Sequence, residues 1–291
     1  MTEIGSGPPG LWPRRRPGRR SIRDYLAQEG ARGAVIAAAS TVVVFGLLLW
    51  WVLTSPNWPL VQERFFSWEH FQASAPDVLG GFWLDVTMFV GAQVAILLFA
   101  MLVAVLRSLR GPAFFPVRVL AIAYIDIFRG IPLLLALLLF GFGIPALQLP
   151  GVPSSPLFWG VTTLVLSYSA YTAEVYRSGI ESVPESQRLS ARSLGLTQWQ
   201  SLRHAVLPQA VRNVVPALLN GLVSLQKDVA LVSVLGVREA VRAAEIYTGR
   251  TFNYTSFVVA TVLFLLISVP LARFADWYTA RERSRRQQLV S

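Results

Sequence analysis

Long apolar runs alternate along this chain with short polar segments that carry arginine. Six runs approach the ~20 residues a helix needs to cross a hydrocarbon core ~30 Å thick. They are 34–54, 82–106, 117–147, 157–175, 213–237 and 256–275. Run 117–147 is overlong and broken by Arg129-Gly130-Ile131-Pro132, and run 213–237 is broken by Gln226-Lys227-Asp228. The pattern predicts an all-α integral membrane protein of about six transmembrane helices. Its expected parts are a basic tail over 1–33, a first helix and external loop over 34–80, a membrane core over 81–276 and a basic tail over 277–291. The core includes the long loop 178–210.

Composition sharpens that reading. The chain is 54% hydrophobic and 14% charged, against ~25% charged for a soluble domain. That is more apolar surface than one core can hide. The net charge of +10 raises nucleic acid as a partner, but the basic residues lie between spans and at the ends, where they orient membrane proteins. A lipid bilayer is the expected surrounding, with no nucleic acid. Cysteine is absent, which removes disulfides, thiolate metal sites and cysteine nucleophiles. His70 and His204 are the only histidines, so no metal site or catalytic residue is expected. Arg14, Arg15, Arg16, Arg19 and Arg20 could begin a signal peptide. The apolar run behind them is too long for an h-region and no small-residue cleavage site follows, so the first helix is expected to be retained.

Lys and Arg counts in the connections alternate. The tail 1–33 has seven, 55–80 has only Arg64, and 107–118 has Arg107, Arg110 and Arg118. Segment 148–156 has none, 177–212 has five, 238–254 has three and the tail from Asp276 has four. Positive charge collects on the cytoplasmic side, which predicts a multi-pass protein with both termini and the 178–210 loop in the cytoplasm. Segment 238–254 is the weakest contributor.

The loop itself is patterned. Ser182-Val183-Pro184-Glu185 reads as a capping box opening a helix to Leu194, with Gly195 free to take positive φ. Thr197-Gln198-Trp199-Gln200 reads as a second box, opening a helix expected to end at Leu207 before Pro208. Trp199, Leu202 and Val206 share one face at helical spacing. Two readings stay open: a helical pair lying on headgroups, or a peg that docks into the groove of a cytoplasmic partner.

Several stretches resemble a known family. Leu189-Ser190-Ala191-Arg192-Ser193-Leu194-Gly195-Leu196, followed by Ala205-Val206-Leu207-Pro208-Gln209-Ala210, is similar to the EAA loop of ABC importer permeases. Tyr124-Ile125-Asp126-Ile127-Phe128-Arg129-Gly130-Ile131-Pro132, the run Ser169 to Ile180 and the run Ser224 to Val237 resemble the polar amino acid branch. The resemblance spans about residues 80–275. It implies a type I ABC importer permease fold and transport of polar amino acids, with methionine or an organic ion as alternative cargo. It implies three partners: an ABC ATPase, a second permease copy or homologue, and an extracytoplasmic solute-binding protein. The implied location is the plasma membrane of a prokaryote. The chain has no G-x-x-x-x-G-K-[ST] segment, so ATP-Mg belongs on the partner ATPase and no cofactor on this chain. The implied ATPase-docking residues are Leu189, Ala191, Arg192, Gly195, Leu196, Trp199 and Leu202. Leu189 stands where the family has glutamate, and Val229-Ala230 where it often has Thr-Ser.

Ionisable groups inside spans need a partner or water. Asp126 and Arg129 are three apart and can pair on one helix face, as can Glu174 and Arg177. Lys227 and Asp228 lie deep in the fifth run, as pathway or gate candidates or as members of a buried pair. Asn220, Ser224 and Gln226 could add hydrogen bonds along the same helix.

Overall fold

The computed structural model describes residues 30–109 and 111–288; residues 1–29 of the expected 1–33 basic tail, Arg110 and residues 289–291 lie outside the described residues. All regular structure among those described is helical. The chain divides into two units, 1–60 and 61–291. The first contains α1 (Gly30–Leu53). Its Val35–Leu53 stretch has a mean hydropathy of 2.3 and no buried side chain, the signature of a helix whose solvent is lipid. A short helix, α2 (Trp58–Phe65), follows.

The second unit is built on α3 (Trp68–Ser108), capped by Ser67, whose side chain accepts the His70 N–H. Its 41 residues reach about 60 Å at 1.5 Å per residue, so it outruns the expected span 82–106 at its polar start. Three apolar clusters are strung along it. Val78 and Phe82 pack on α10 (Ala240–Thr251) and α11 (Thr255–Gln288). Met88, Ala92 and Ile96 meet α5 (Leu133–Leu138), α6 (Pro156–Glu181) and α9 (Leu207–Asp228) through Leu137, Leu164 and Leu225. Ala100 and Val103 pack on α4 (Phe115–Gly130) and α6 through Ala121, Ile125 and Ala173. Alanines carry much of the first and third clusters, which lets the helices approach closely without a hydrophobic drive from water, while the middle one is built on larger aliphatic side chains.

The break expected in run 117–147 is real and sharp. The chain bends by 108° between the arms Pro112–Gly130 and Leu133–Ala146. Pro132 pushes Ile131 into extended backbone, φ −88° and ψ 130°, because its ring excludes the α region for the residue before it. Run 213–237 changes character at the expected place: α9 ends at Asp228, Val229–Leu235 tightens into a 3-10 turn, and Gly236 closes it at φ +81°. Segment 238–254, read from the sequence as a connection, contains α10 instead. Four helical stretches are long and apolar enough to cross a membrane, and the bent pair counts as a fifth if taken as one span. The expected fourth span, α6, has the length but buries Thr163, Ser167 and Ser169 against its neighbours.

Two expectations in the 178–210 loop fail. Ser182 does not open a helix; it ends α6, its hydroxyl donating to the Gly179 carbonyl and accepting from Asn213 Nδ2 at 2.6 Å. Helix α7 (Glu185–Ser193) starts on Pro184 without a side-chain cap. Nor does the second helix stop at Leu207. From α8 (Gln198–Ser201) the chain runs through a π turn, Leu202–Val206, directly into α9. The wide turn sets Pro208 in the first turn of the new segment, where a missing N–H costs little.

Candidate functional site

A cavity of about 400 Å³ lies between α3, α6, α9 and the α4–α5 break. Its walls are largely apolar, with Ile96, Phe128, Ile131 and Leu218 among them, and its polar groups converge from three elements: Gln93, Ser167, Tyr168, Thr172, Ser224 and Asp228. Asp228 is the one charged residue in the lining. It sits at the last position of α9, where the helix tightens, and its Oδ2 accepts the Tyr168 hydroxyl at 2.6 Å. A mostly apolar hollow with a few placed polar groups is the usual form of a small-molecule site.

The side chains of Lys227 and Asp228 point in different directions. Successive residues on a helix point about 100° apart, and Lys227 is exposed while Asp228 faces the cavity. Among the described residues, Lys227 forms no ion pair. Asn220 is exposed and outside the lining, whereas Ser224 is part of it. Gln226 turns to the opposite side, buried, and accepts from the Ser268 hydroxyl of α11. The Asp126–Arg129 ion pair is absent from the described residues: Asp126 is exposed and the Arg129 guanidinium lies 5.7 Å over the Tyr171 ring. The Arg129 carbonyl accepts from the Tyr171 hydroxyl at 3.0 Å, tying the break to α6. Tyr168, Gln93 and Thr172 are not among the pathway candidates drawn from the sequence, although Thr172 lies in the run Ser169 to Ile180. Ser167, Tyr168, Tyr171 and Thr172 recur at helical spacing inside an apolar span, and that polar stripe is the signal for the two α6 residues.

A second hollow of about 640 Å³ shares Leu218 with the first and lies toward the 178–210 loop, between the C-terminal ends of α3 and α6 and the N-terminal ends of α4 and α9. Arg107, Arg118, Arg177, Glu181 and Arg188 rim it. Here Glu174 pairs with Arg177 as its spacing suggested, and also with Arg107 of α3 at 2.5 Å; Arg177 pairs in turn with Glu181. The network joins the ends of α3 and α6 immediately before the loop.

The loop presents a compact helix pair. Helix α7 closes in a Schellman motif: Leu196 N–H donates to the Ala191 carbonyl at 3.3 Å, Gly195 N–H to that of Arg192 at 3.0 Å, and Gly195 takes φ +85°. Thr197 and Gln200 form the predicted reciprocal capping box. Ala191 is buried in the fold of the pair, and Arg192 is exposed. Leu202, Val206, Val183 and Ala210 pack together and seat the pair on α9. Trp199 departs from the expected face. It is 66% exposed, with Leu189 at 58% and Leu194 at 83%, because the inward stripe runs through Ser201, Leu202 and Val206 instead. Three large apolar side chains are thus left in the open on one short protrusion, which suits contact with another protein.

A helical membrane core, a polar-lined hollow within it and a protruding capped helix pair define a transport subunit of the permease type. The chain belongs to the family of binding-protein-dependent transport system inner membrane components, whose profile matches residues 96–284. It is 38% identical over 193 residues to a probable amino-acid ABC transporter permease protein of Sinorhizobium fredii, covering 65% of this chain and 80% of that one. Over 222 residues it is 31% identical to a glutamate/aspartate import permease protein of Escherichia coli, covering 74% and 98%. Among solved structures it matches an amino acid ABC transporter crystallised with histidines at a TM-score of 0.64 and 28% identity, covering 71% of this chain and 94% of that one. The MetNI methionine ABC transporter, at 19% identity and a TM-score of 0.56 over 71% of this chain and 96% of that one, shares the fold. The chain is a multi-pass membrane protein and a transport subunit, not an enzyme.

Proposed function

We propose that this chain forms a translocation pathway for polar amino acids and is driven by a separate ABC ATPase that grips the 178–210 helix pair. The single observation that carries the coupling is the exposure of Leu189, Leu194 and Trp199 on a helix pair fixed by a Schellman turn and a capping box. Exposed apolar anchors on a rigid element are what a partner groove takes up. The pair is seated on α9 through Val206 and Ala210, and α9 carries Asp228 into the cavity of about 400 Å³, the upper hollow when the loop-side one is taken as the lower. Movement imposed on the loop therefore reaches the pathway along one continuous helical element. ATP with its magnesium sits on the ATPase in this reading.

The amino acid cargo follows from the names of the relatives and fits the upper hollow. Hydroxyls, an amide and one carboxylate can replace part of a zwitterion's hydration as it passes. The lower hollow, rimmed by Arg107, Arg118 and Arg188, would lead toward the cytoplasm. The positive-inside distribution supports a cytoplasmic loop and cytoplasmic termini. A second permease copy or homologue completes the pathway, and an extracytoplasmic binding protein delivers the solute. The test is uptake of a labelled amino acid by proteoliposomes holding the purified complex and its binding protein, with unlabelled amino acids as competitors. ATP-dependent accumulation blocked by polar amino acids supports the reading. Accumulation that ignores them while another solute competes would replace the cargo.

A further inference from the structure

Two carboxyl groups meet where α10 begins against α3, far along α3 from the 178–210 loop. Glu239 is fully buried and Asp85 is 2% exposed. Glu239 caps α10, its Oε2 and Oε1 accepting the N–H groups of Val241 at 2.8 Å and Arg242 at 2.7 Å. Asp85 Oδ2 accepts the next free N–H, that of Ala240, at 3.2 Å. Gly81, one turn before Asp85, makes the approach possible: a Cβ there would lie 2.5 Å from the Glu239 carbonyl carbon. The two carboxyls thus share the three successive N–H groups of one helix turn, those of Ala240, Val241 and Arg242. Yet Asp85 Oδ1 is buried with no partner.

Charges from the surrounding elements do not relieve this pair. Arg238 is engaged by Asp77 of α3 at 2.8 Å, and Arg242 by Glu245 at 2.6 Å. Glu245 adds further negative charge toward Glu239. From α11 the seam receives Val259, Ala260 and Phe264, all apolar. The partial positive charge of a helix N-terminus favours one anion; it does not balance two buried side by side at the same helix start. Adjacent buried carboxylates cannot both ionise cheaply, and such pairs hold a proton between them.

We infer that Asp85 and Glu239 hold one proton between them at neutral pH, and that this proton latches the start of α10 to α3. With the proton on Asp85 Oδ1, the orphaned oxygen becomes a donor to the Glu239 carboxylate, which still caps α10. Every polar atom of the pair is then matched. Burial independently pushes the Glu239 carboxyl above its ordinary value. Removing the proton leaves two negative charges in a dry seam, and the seam is driven apart. In the proposed orientation this end of α3 is extracytoplasmic, so external pH would set the latch.

The sign follows from linkage. The folded state keeps a proton that the unfolded chain has already released, so stability falls as pH rises above the ordinary carboxylate range and levels off once the pair has titrated. Asp85→Asn mimics the latched form, because its amide N–H can donate to Glu239 and its oxygen can accept from Ala240. The experiment uses the full chain in its purified complex. Infrared difference spectroscopy at neutral pH should show the carbonyl band of a protonated carboxylic acid, sensitive to exchange in heavy water and lost in Asp85→Asn. Thermal unfolding of the native protein should drop between about pH 5 and about pH 9, and the variant should be much flatter across that range. If Asp85→Asn does not assemble, Glu239→Gln should lose the same band, with a lower Tm at every pH because one of two cap acceptors is gone. A native protein without the band, or either variant retaining it, overturns the inference.

Discussion

The Tyr168 hydroxyl donates to Asp228 at 2.6 Å, joining α6 to the end of α9 at the one charged point of the upper hollow. The bond fixes where a negative charge faces the pathway. It also gives the helix that bears the loop a direct hold on that charge.

Asp228→Ala removes both the charge and the anchor for Tyr168. Hydrogen bonds to charged groups are worth about 1.5–3 kcal/mol, so uptake by the assembled complex is expected to fall at least about tenfold. Tyr168→Phe keeps the charge and should cost only a few-fold. Transport assays alongside size-exclusion profiles of the complex check both. Equal losses from the two variants would mean that the hydroxyl, not the charge, matters.

Gly195→Val places a β-branched residue at φ +85°, where an L-residue costs about 1–2 kcal/mol. The strain falls on the Schellman turn and not on the membrane core. Expression and Tm of the permease should change little, while ATP-driven uptake should fall sharply. Uptake per complex measured beside ATPase activity separates uncoupling from loss of protein.

Trp199→Ala and Leu189→Ala touch side chains that are 66% and 58% exposed. Surface changes of this kind usually shift stability by less than about 0.5 kcal/mol. Retention of the ATPase on the immobilised permease should nevertheless drop, most with both replaced. Full retention by the double variant would remove these residues from the docking surface.

Gly179→Ala drives a methyl group into Val214 of α9. Overpacking of a tight contact costs about 1–3 kcal/mol, and the variant should unfold at a lower temperature in detergent. Val214→Ala in the same chain should restore most of the loss, because the two positions are in direct contact and their effects do not add.

Much of this architecture is legible in the sequence wherever local chemistry decides it. Arg129-Gly130-Ile131-Pro132 breaks a helix because proline constrains the residue before it, and the 108° bend stands there. Gly195 and the Thr197–Gln200 box are closed by atoms a few residues apart. The misreadings come from residues whose partners are distant or whose backbone register shifts. Ser182 is spent on Gly179 and Asn213, so it cannot cap α7. The π turn before Pro208 moves Trp199 off the buried stripe and carries the helix past its expected stop. Asp85 and Glu239 stand 154 positions apart in the chain (239 minus 85), and neither signals the other until Gly81 lets the helices close.

Affinity purification of the tagged chain from its native membrane, with identification of what accompanies it, tests the central claim most directly. An ABC ATPase is expected in the eluate, lost when residues 187–206 are scrambled although the chain still inserts and folds. Recovery of a stable chain alone under mild detergent, or an ATPase retained after the scramble, would contradict it.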